Sequence, residues 1–211
     1  MTILSKVKTL IDYAKFAMFL IRANNYDGKN DRLCPLHFPK IYNFNSGLVQ
    51  YATALTGYVK TLGSGNGWCD GNDTIVYVNL PNLQTINGFA GFSRLRALKE
   101  CHLPSLRNIS NDNLVSCSVL EILEVGSLTY FDSKVMQYNT AVHTFICGKD
   151  TACNLYLQYC PLLTQECLHN IIDNLADRTG TTALTLQIGS NIAKLSEEYK
   201  LKLLAKNWNL T

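Results

Sequence analysis

Charge is scarce in this chain. Asp, Glu, Lys and Arg make up 17% of its 211 residues, against the roughly 25% usual for globular proteins. The 19 Lys and Arg against 16 Asp and Glu leave a formal net charge of +3. The positive residues are scattered, so no cluster points to nucleic acid or to an anionic membrane surface. Long apolar runs are missing as well. Within Met1 to Ala23, Lys6, Lys8, Asp12, Lys15 and Arg22 leave Phe16–Ile21, six residues, as the longest run free of charge. That is shorter than a signal-peptide core and far short of a membrane span, and no Ala-x-Ala cleavage site follows. The expectation is a chain without signal peptide or transmembrane segment, made and kept in a reducing cytoplasm. Five prolines and 13 glycines exclude a collagen-like or low-complexity chain, and 47% hydrophobic residues exclude disorder. What is present is a folded module with a polar, weakly charged surface rich in Asn, Ser and Thr.

Eight cysteines do not amount to a disulfide scaffold, because such scaffolds are shorter, denser in Cys and built for an oxidising compartment. Mostly free thiols are expected. Cys34-x-x-His37 and Cys167-x-His169 are half of a metal site at best, and Cys147, Cys153, Cys160 and Cys167 lack the tight paired spacing of zinc ligands. No metal and no cofactor is expected. With four His beside so many Cys, a Cys–His nucleophile needs more than co-occurrence. The loop Gly63-Ser64-Gly65-Asn66-Gly67 lacks the lysine and flanking strand of a phosphate-binding loop.

The N-terminal segment has a helical period. Ile3, Val7, Leu10, Ala14, Ala17 and Ile21 are spaced as the a and d positions of a coiled-coil seam. Such a helix either packs under its own domain or serves as an oligomerisation or docking helix. Residues 24–72 are irregular, with turns at Asn24-Asn25, Asp27-Gly28, Pro35 and Pro39. A short helix over about Ser46 to Leu62 is predicted from the stripe Leu48, Tyr51, Ala52, Leu55 and Val59.

From Ile75 an internal repeat dominates. The frame L-x-x-L-x-L fits Ile75, Val78 and Leu80, then Leu98, Cys101 and Leu103, then Leu120, Leu123 and Val125, then Val142, Phe145 and Cys147. A second apolar column follows as Leu83 and Ile86, Leu106 and Ile109, Leu128 and Phe131. One such unit cannot bury its apolar face alone, so neighbouring coils build the core together. The predicted fold is an α/β solenoid: a short leucine-rich-repeat stack over 73–162, preceded by an N-terminal helical docking or capping region over 1–72 and followed by a C-terminal helical cap over 163–211. In that cap Thr164 starts a helix with Leu168, Ile171, Ile172 and Leu175 on its apolar face and Gly180 at its end. Ala183, Leu186 and Ile188 restore the strand frame, and Ser196 starts a last helix through Lys206. The two helices are expected to cover the open end of the stack.

The run Leu163-Thr164-Gln165-Glu166-Cys167-Leu168-His169-Asn170-Ile171-Ile172-Asp173-Asn174-Leu175-Ala176-Asp177-Arg178-Thr179-Gly180 resembles the closing segment of BspA-like leucine-rich-repeat proteins. So do Thr185-Leu186-Gln187-Ile188-Gly189-Ser190 and the ending Lys206-Asn207-Trp208-Asn209-Leu210-Thr211. The Leu80-Pro81 and Leu103-Pro104 pairs are similar to that family's strand-to-turn step. The resemblance covers about residues 73 to 211. It implies a non-enzymatic binding or structural module, of the kind found in surface proteins of gut bacteria and at the ends of virion proteins of their phages. The missing signal peptide and the small number of repeats favour the virion: a tail or capsid-decorating protein assembled in the bacterial host cytoplasm. A bacterial surface or secreted adhesin and a cytosolic scaffold are the alternatives. Its partners would be other virion proteins or itself through the N-terminal region, and a host-surface protein or glycan, with no nucleic acid. Because strand residues alternate sides, the outward positions Tyr77, Asn79, Glu100, His102, Ile122, Glu124, Thr144 and Ile146 are the candidate binding residues.

Overall fold

The computed structural model describes residues 69–86, 91–110 and 112–211, and the backbone of three strands before them. The oligomerisation or docking helix expected over Ile3 to Ile21 lies outside these residues. The described strands all belong to one compact unit, Pro35–Thr211, and all of their pairings are parallel. The first sheet has six strands, β1 (Pro35–Phe38), β2 (Ala54–Gly57), β4 (Tyr77–Asn79), β6 (Glu100–Leu103), β8 (Ile122–Val125) and β10 (Thr144–Ile146), in that order. The second has β3 (Thr61–Leu62), β5 (Thr85–Ile86), β7 (Asn108–Ile109) and β9 (Tyr130–Phe131). The chain alternates between the two sheets. Tyr77 pairs with Glu100, Glu100 with Ile122 and Ile122 with Thr144, so each residue lies beside the one 22 or 23 places on.

This register stacks like on like. Val78, Cys101, Leu123 and Phe145 are all buried, as are Leu83, Leu106 and Leu128 in the next column. The corner before the first sheet is just as regular. Gly71, Arg94, Ser116 and Tyr138, one per coil, all have φ between 55° and 72°. Gly71, Arg94 and Ser116 each donate their N–H to a carbonyl of the following coil, Ser93, Val115 and Gln137, at 2.8–3.0 Å. At the corner after the strand the residues are Pro81, Pro104, Gly126 and Gly148. The last two lie so close to the preceding coil that a Cβ on Gly148 would sit 2.5 Å from the Ser127 nitrogen.

Two sequence expectations fail here for physical reasons. The helix expected over Ser46 to Leu62 is replaced, in the part described, by β2 and β3, and the ladder thus runs on upstream of Asp73. The apolar spacing Leu48, Tyr51, Ala52, Leu55 and Val59 satisfies a helical stripe, but Leu55 also falls on the repeat frame, beside Val78, as does Leu62, beside Ile86. Pairing to an existing ladder wins over a period that both structures share. The C-terminal helix α1 (Gln165–Asn174) starts at Thr164, whose hydroxyl accepts the Cys167 N–H at 3.1 Å, but it stops at Leu175 rather than Gly180. Leu175 turns extended and bridges Thr151. Lys206 accounts for the early end: its Nζ donates to the carbonyls of Ile172, Asp173 and Leu175 at 2.9, 3.0 and 2.6 Å, occupying the acceptors that a helix end leaves open.

A third sheet, β11 (Leu155–Tyr156), β12 (Leu184–Gln187) and β13 (Trp208–Leu210), closes the described chain. A 3-10 helix (Gly189–Lys194) and α2 (Glu197–Ala205) lie between its last two strands. The two α-helices meet through stacked rings of His169 and Tyr199, 3.6 Å apart, and through Lys202 on Asp173 at 2.5 Å. α1 lies along the edge of β10, and α2 packs against β13, the last strand of the third sheet. No helix among the described residues is long and apolar enough to cross a membrane.

Candidate binding face and the groove beside it

In the first sheet β4, β6, β8 and β10 alternate strictly between buried positions and partly or fully exposed ones. All eight outward residues expected from the sequence fall on the partly exposed side, and the register groups them in two columns. One column is Tyr77, Glu100, Ile122 and Thr144; the other is Asn79, His102, Glu124 and Ile146. Ile146, 44% exposed, is the most open of the apolar side chains in these columns.

These side chains interlock rather than stand alone. His102 places Nδ1 2.8 Å from Glu124 on the following coil and Nε2 3.3 Å from Glu100 on its own strand. The Tyr77 ring lies 5.5 Å from the His102 ring, and Asn79 Nδ2 donates to the Tyr77 hydroxyl at 3.2 Å. Both imidazole nitrogens therefore face carboxylates, and neither is turned outward as a base for a substrate. The strand positions carry no Lys or Arg, so His102 is the strand side chain that both carboxylates meet.

At the β10 side the face meets α1. An edge strand normally leaves a row of open N–H and C=O groups, and here the helix supplies their partners. Phe145 N–H donates to the Cys167 sulfur at 3.1 Å, and the Cys167 thiol donates to the Phe145 carbonyl at 3.4 Å. Asn174 Nδ2 donates to the Cys147 carbonyl at 2.9 Å, and Thr164 N–H to that of His143 at 3.2 Å. A groove of about 250 Å³ remains between strand and helix, with Thr144 and Ile146 on one wall and Asn170, Asp173 and Asn174 on the other. Nothing in the sequence signalled this groove, because one cysteine and one asparagine on a helix do not say which strand they will serve.

The described cysteines are free and buried. Burial pushes the thiols of Cys117, Cys153 and Cys160 up to about 12 and that of Cys147 to about 11. This is the reverse of the depressed value that a nucleophile or metal-binding thiolate needs. Several serve as backbone partners instead: Cys69 donates to Gly91 O at 2.8 Å and Cys117 to Phe92 O at 3.1 Å. Cys167 and His169, paired in sequence as a half-site, have different partners, the one on Phe145 and the other on Tyr199. Among the described residues no group of three His, Cys, Asp or Glu could hold a metal ion. The side chains of Cys34 and His37 lie outside the described set.

No family model matches the chain, and no curated protein and no solved structure matches it either.

Proposed function

We propose that this chain is a non-enzymatic leucine-rich-repeat solenoid that presents the outward face of its six-stranded sheet to a protein or glycan, as a structural protein of a phage virion, in the tail or on the capsid. The observation that carries the binding reading is the joined set Tyr77, Asn79, Glu100, His102 and Glu124, drawn from three successive strands and held together across one open face. Side chains on a solvated sheet need no such cross-links for folding, since the core lies on the other side. Both nitrogens of His102 being engaged favours recognition over acid–base chemistry. The virion part rests on the likeness of residues 163–211 to the ends of phage virion proteins.

Two experiments test it. Particles of a phage encoding this chain, banded by density, contain it in stoichiometric amount; its presence in the lysate but not in the particles would remove the virion reading, and its recovery from a bacterial cell surface would favour an adhesin. A Tyr77→Ala, Glu100→Ala, His102→Ala variant that melts like the parent loses binding to host cells; undiminished binding would refute the role of the face. The N-terminal docking expected for Ile3 to Ile21 is tested by the solution mass of the full chain beside a chain starting at Pro35. The cut belongs there rather than at Asp73, which would strip β1 to β3 from their ladders.

A further inference from the structure

We infer that the groove between β10 and α1 is a subsite for one uncharged sugar residue, and that the oligosaccharide carrying it runs over the sheet face to Tyr77. This rests on the binding-face reading and names its ligand class.

The chemistry of the walls selects the ligand. The groove, about 250 Å³, is smaller than the 300 Å³ or so at which drug-sized sites begin, so it admits one small unit. Its polar wall groups are the Asp173 carboxylate, the Asn170 carboxamide, the Asn174 carboxamide, whose nitrogen already serves the Cys147 carbonyl, and the Thr144 hydroxyl, which already meets His143; Ile146 and Phe145 with two cysteine residues line the rest. A sugar ring offers the complement, hydroxyls that both donate and accept and an apolar face of C–H groups. The carboxylates here already have partners: Asp173 holds Lys202 at 2.5 Å, while Glu100 and Glu124 share His102. A cationic ligand would have to displace those partners, whereas hydroxyl donors need only the lone pairs that each carboxylate keeps in reserve. An anionic ligand finds no Lys or Arg at the outward strand positions, and the ammonium beside the groove, Lys202, is already paired with Asp173.

At this groove the geometry excludes the main alternative. A peptide that docks by adding a strand needs an open sheet edge, and the edge of β10 is occupied by Cys167, Asn174 and the Thr164 N–H. What stays available is side chains, on a face that spans three strand spacings from β10 to β4, about 14 Å. That is the width of several linked sugars with an aromatic ring at its far end.

The full chain is tested on a printed array of neutral hexose and N-acetylhexosamine oligosaccharides, with sialylated and sulfated glycans and a lysine-rich peptide as controls. The strongest ligand is then titrated calorimetrically against Asn170→Trp, which fills the groove from an exposed helix position, and against Tyr77→Ala. The expected result is a neutral oligosaccharide bound at least about tenfold more weakly by each variant, the loss that removing one or two hydrogen bonds or a stacking contact brings, with unchanged melting. Absence of any neutral ligand, or a preference for the sulfated glycans or the peptide, overturns the inference. So does undiminished binding by Asn170→Trp; if Tyr77→Ala weakens that same ligand, the groove fails while the binding face stands. Loss of neither would refute both.

Discussion

Asn139 gives the sharpest test of how the coils are joined. In the repeat frame it occupies the position of Leu95 and Cys117, so pattern reasoning treats Asn139→Leu as a repair of the repeat. The structure predicts damage. Asn139 is fully buried; its Oδ1 accepts the Cys117 N–H at 2.8 Å and its Nδ2 donates to the Leu114 carbonyl at 2.8 Å. Leucine fills nearly the same space but leaves both backbone groups of the preceding coil without a partner. Each orphaned group costs about 1–3 kcal/mol, while the extra apolar burial returns about 1–2 kcal/mol. The net loss is about 2 kcal/mol, and with a urea slope of about 2 kcal/mol per molar the midpoint falls by about 1 M. Equilibrium urea unfolding of the full chain, followed by far-ultraviolet circular dichroism, reads this directly. A midpoint unchanged or raised would show that the corner is held by packing alone, and the reasoning about side chains bridging coils would be wrong.

Other substitutions separate space from backbone conformation. Gly148→Ala brings a Cβ to 2.5 Å from the Ser127 nitrogen and 2.8 Å from the Gly126 carbonyl carbon, so the coils must part; a loss of about 1–3 kcal/mol is expected by urea unfolding. Tyr138→Gly should be neutral or stabilising by up to about 1 kcal/mol, because Tyr138 has φ 64° and is exposed, and glycine relieves that strain where elsewhere it destabilises. A fall in melting temperature would contradict that account. The thiols of Cys117, Cys153 and Cys160, raised to about 12 from an ordinary 9.0, should resist iodoacetamide at pH 8 in the folded chain and react on unfolding. The same shift makes the folded state hold protons that the unfolded state releases, so stability is full below pH 9 and falls as pH rises from about 9 towards 12. Flat stability across that window would count against the burial of these thiols.

The inward positions were legible because the frame repeats with nearly constant spacing and the residues there are apolar almost without exception. Outward positions then follow by parity, which is why Tyr77, Glu100 and His102 could be picked out with no structure. Their linkage could not, since His102 meeting Glu124 depends on a register between coils that no single strand encodes. The left-handed corner was invisible for a different reason. Gly71, Arg94, Ser116 and Tyr138 have nothing in common as residue types, and the first three are tied to the next coil by hydrogen bonds of their N–H groups, contacts that no local pattern shows. Upstream of Asp73, Leu55 satisfied two periods at once, the helical stripe and the repeat frame. There the deciding factor was a neighbouring strand, a contact between distant parts of the chain rather than a local preference.

The way the first sheet ends at β10 bears on how such a chain can recognise anything. A parallel sheet offers partners its edge, where backbone groups bind any strand, or its face, where side chains choose. At β10 the edge is taken by three groups of α1, two of them side chains, so a partner arriving there meets only chosen side chains. The inward column that holds the coils together shares no residue with the outward columns. Substitutions at Glu100, Ile122, Thr144 or Ile146 can therefore change what is bound while leaving Cys101, Leu123 and Phe145 to maintain the stack. Ile122→Glu makes this concrete: it adds a carboxylate beside Glu100 on a partly exposed strand position. It should alter ligand preference on the face while shifting stability by less than about 1 kcal/mol. A larger loss would mean that the face is part of the core after all, and that recognition and folding are not separable in this chain.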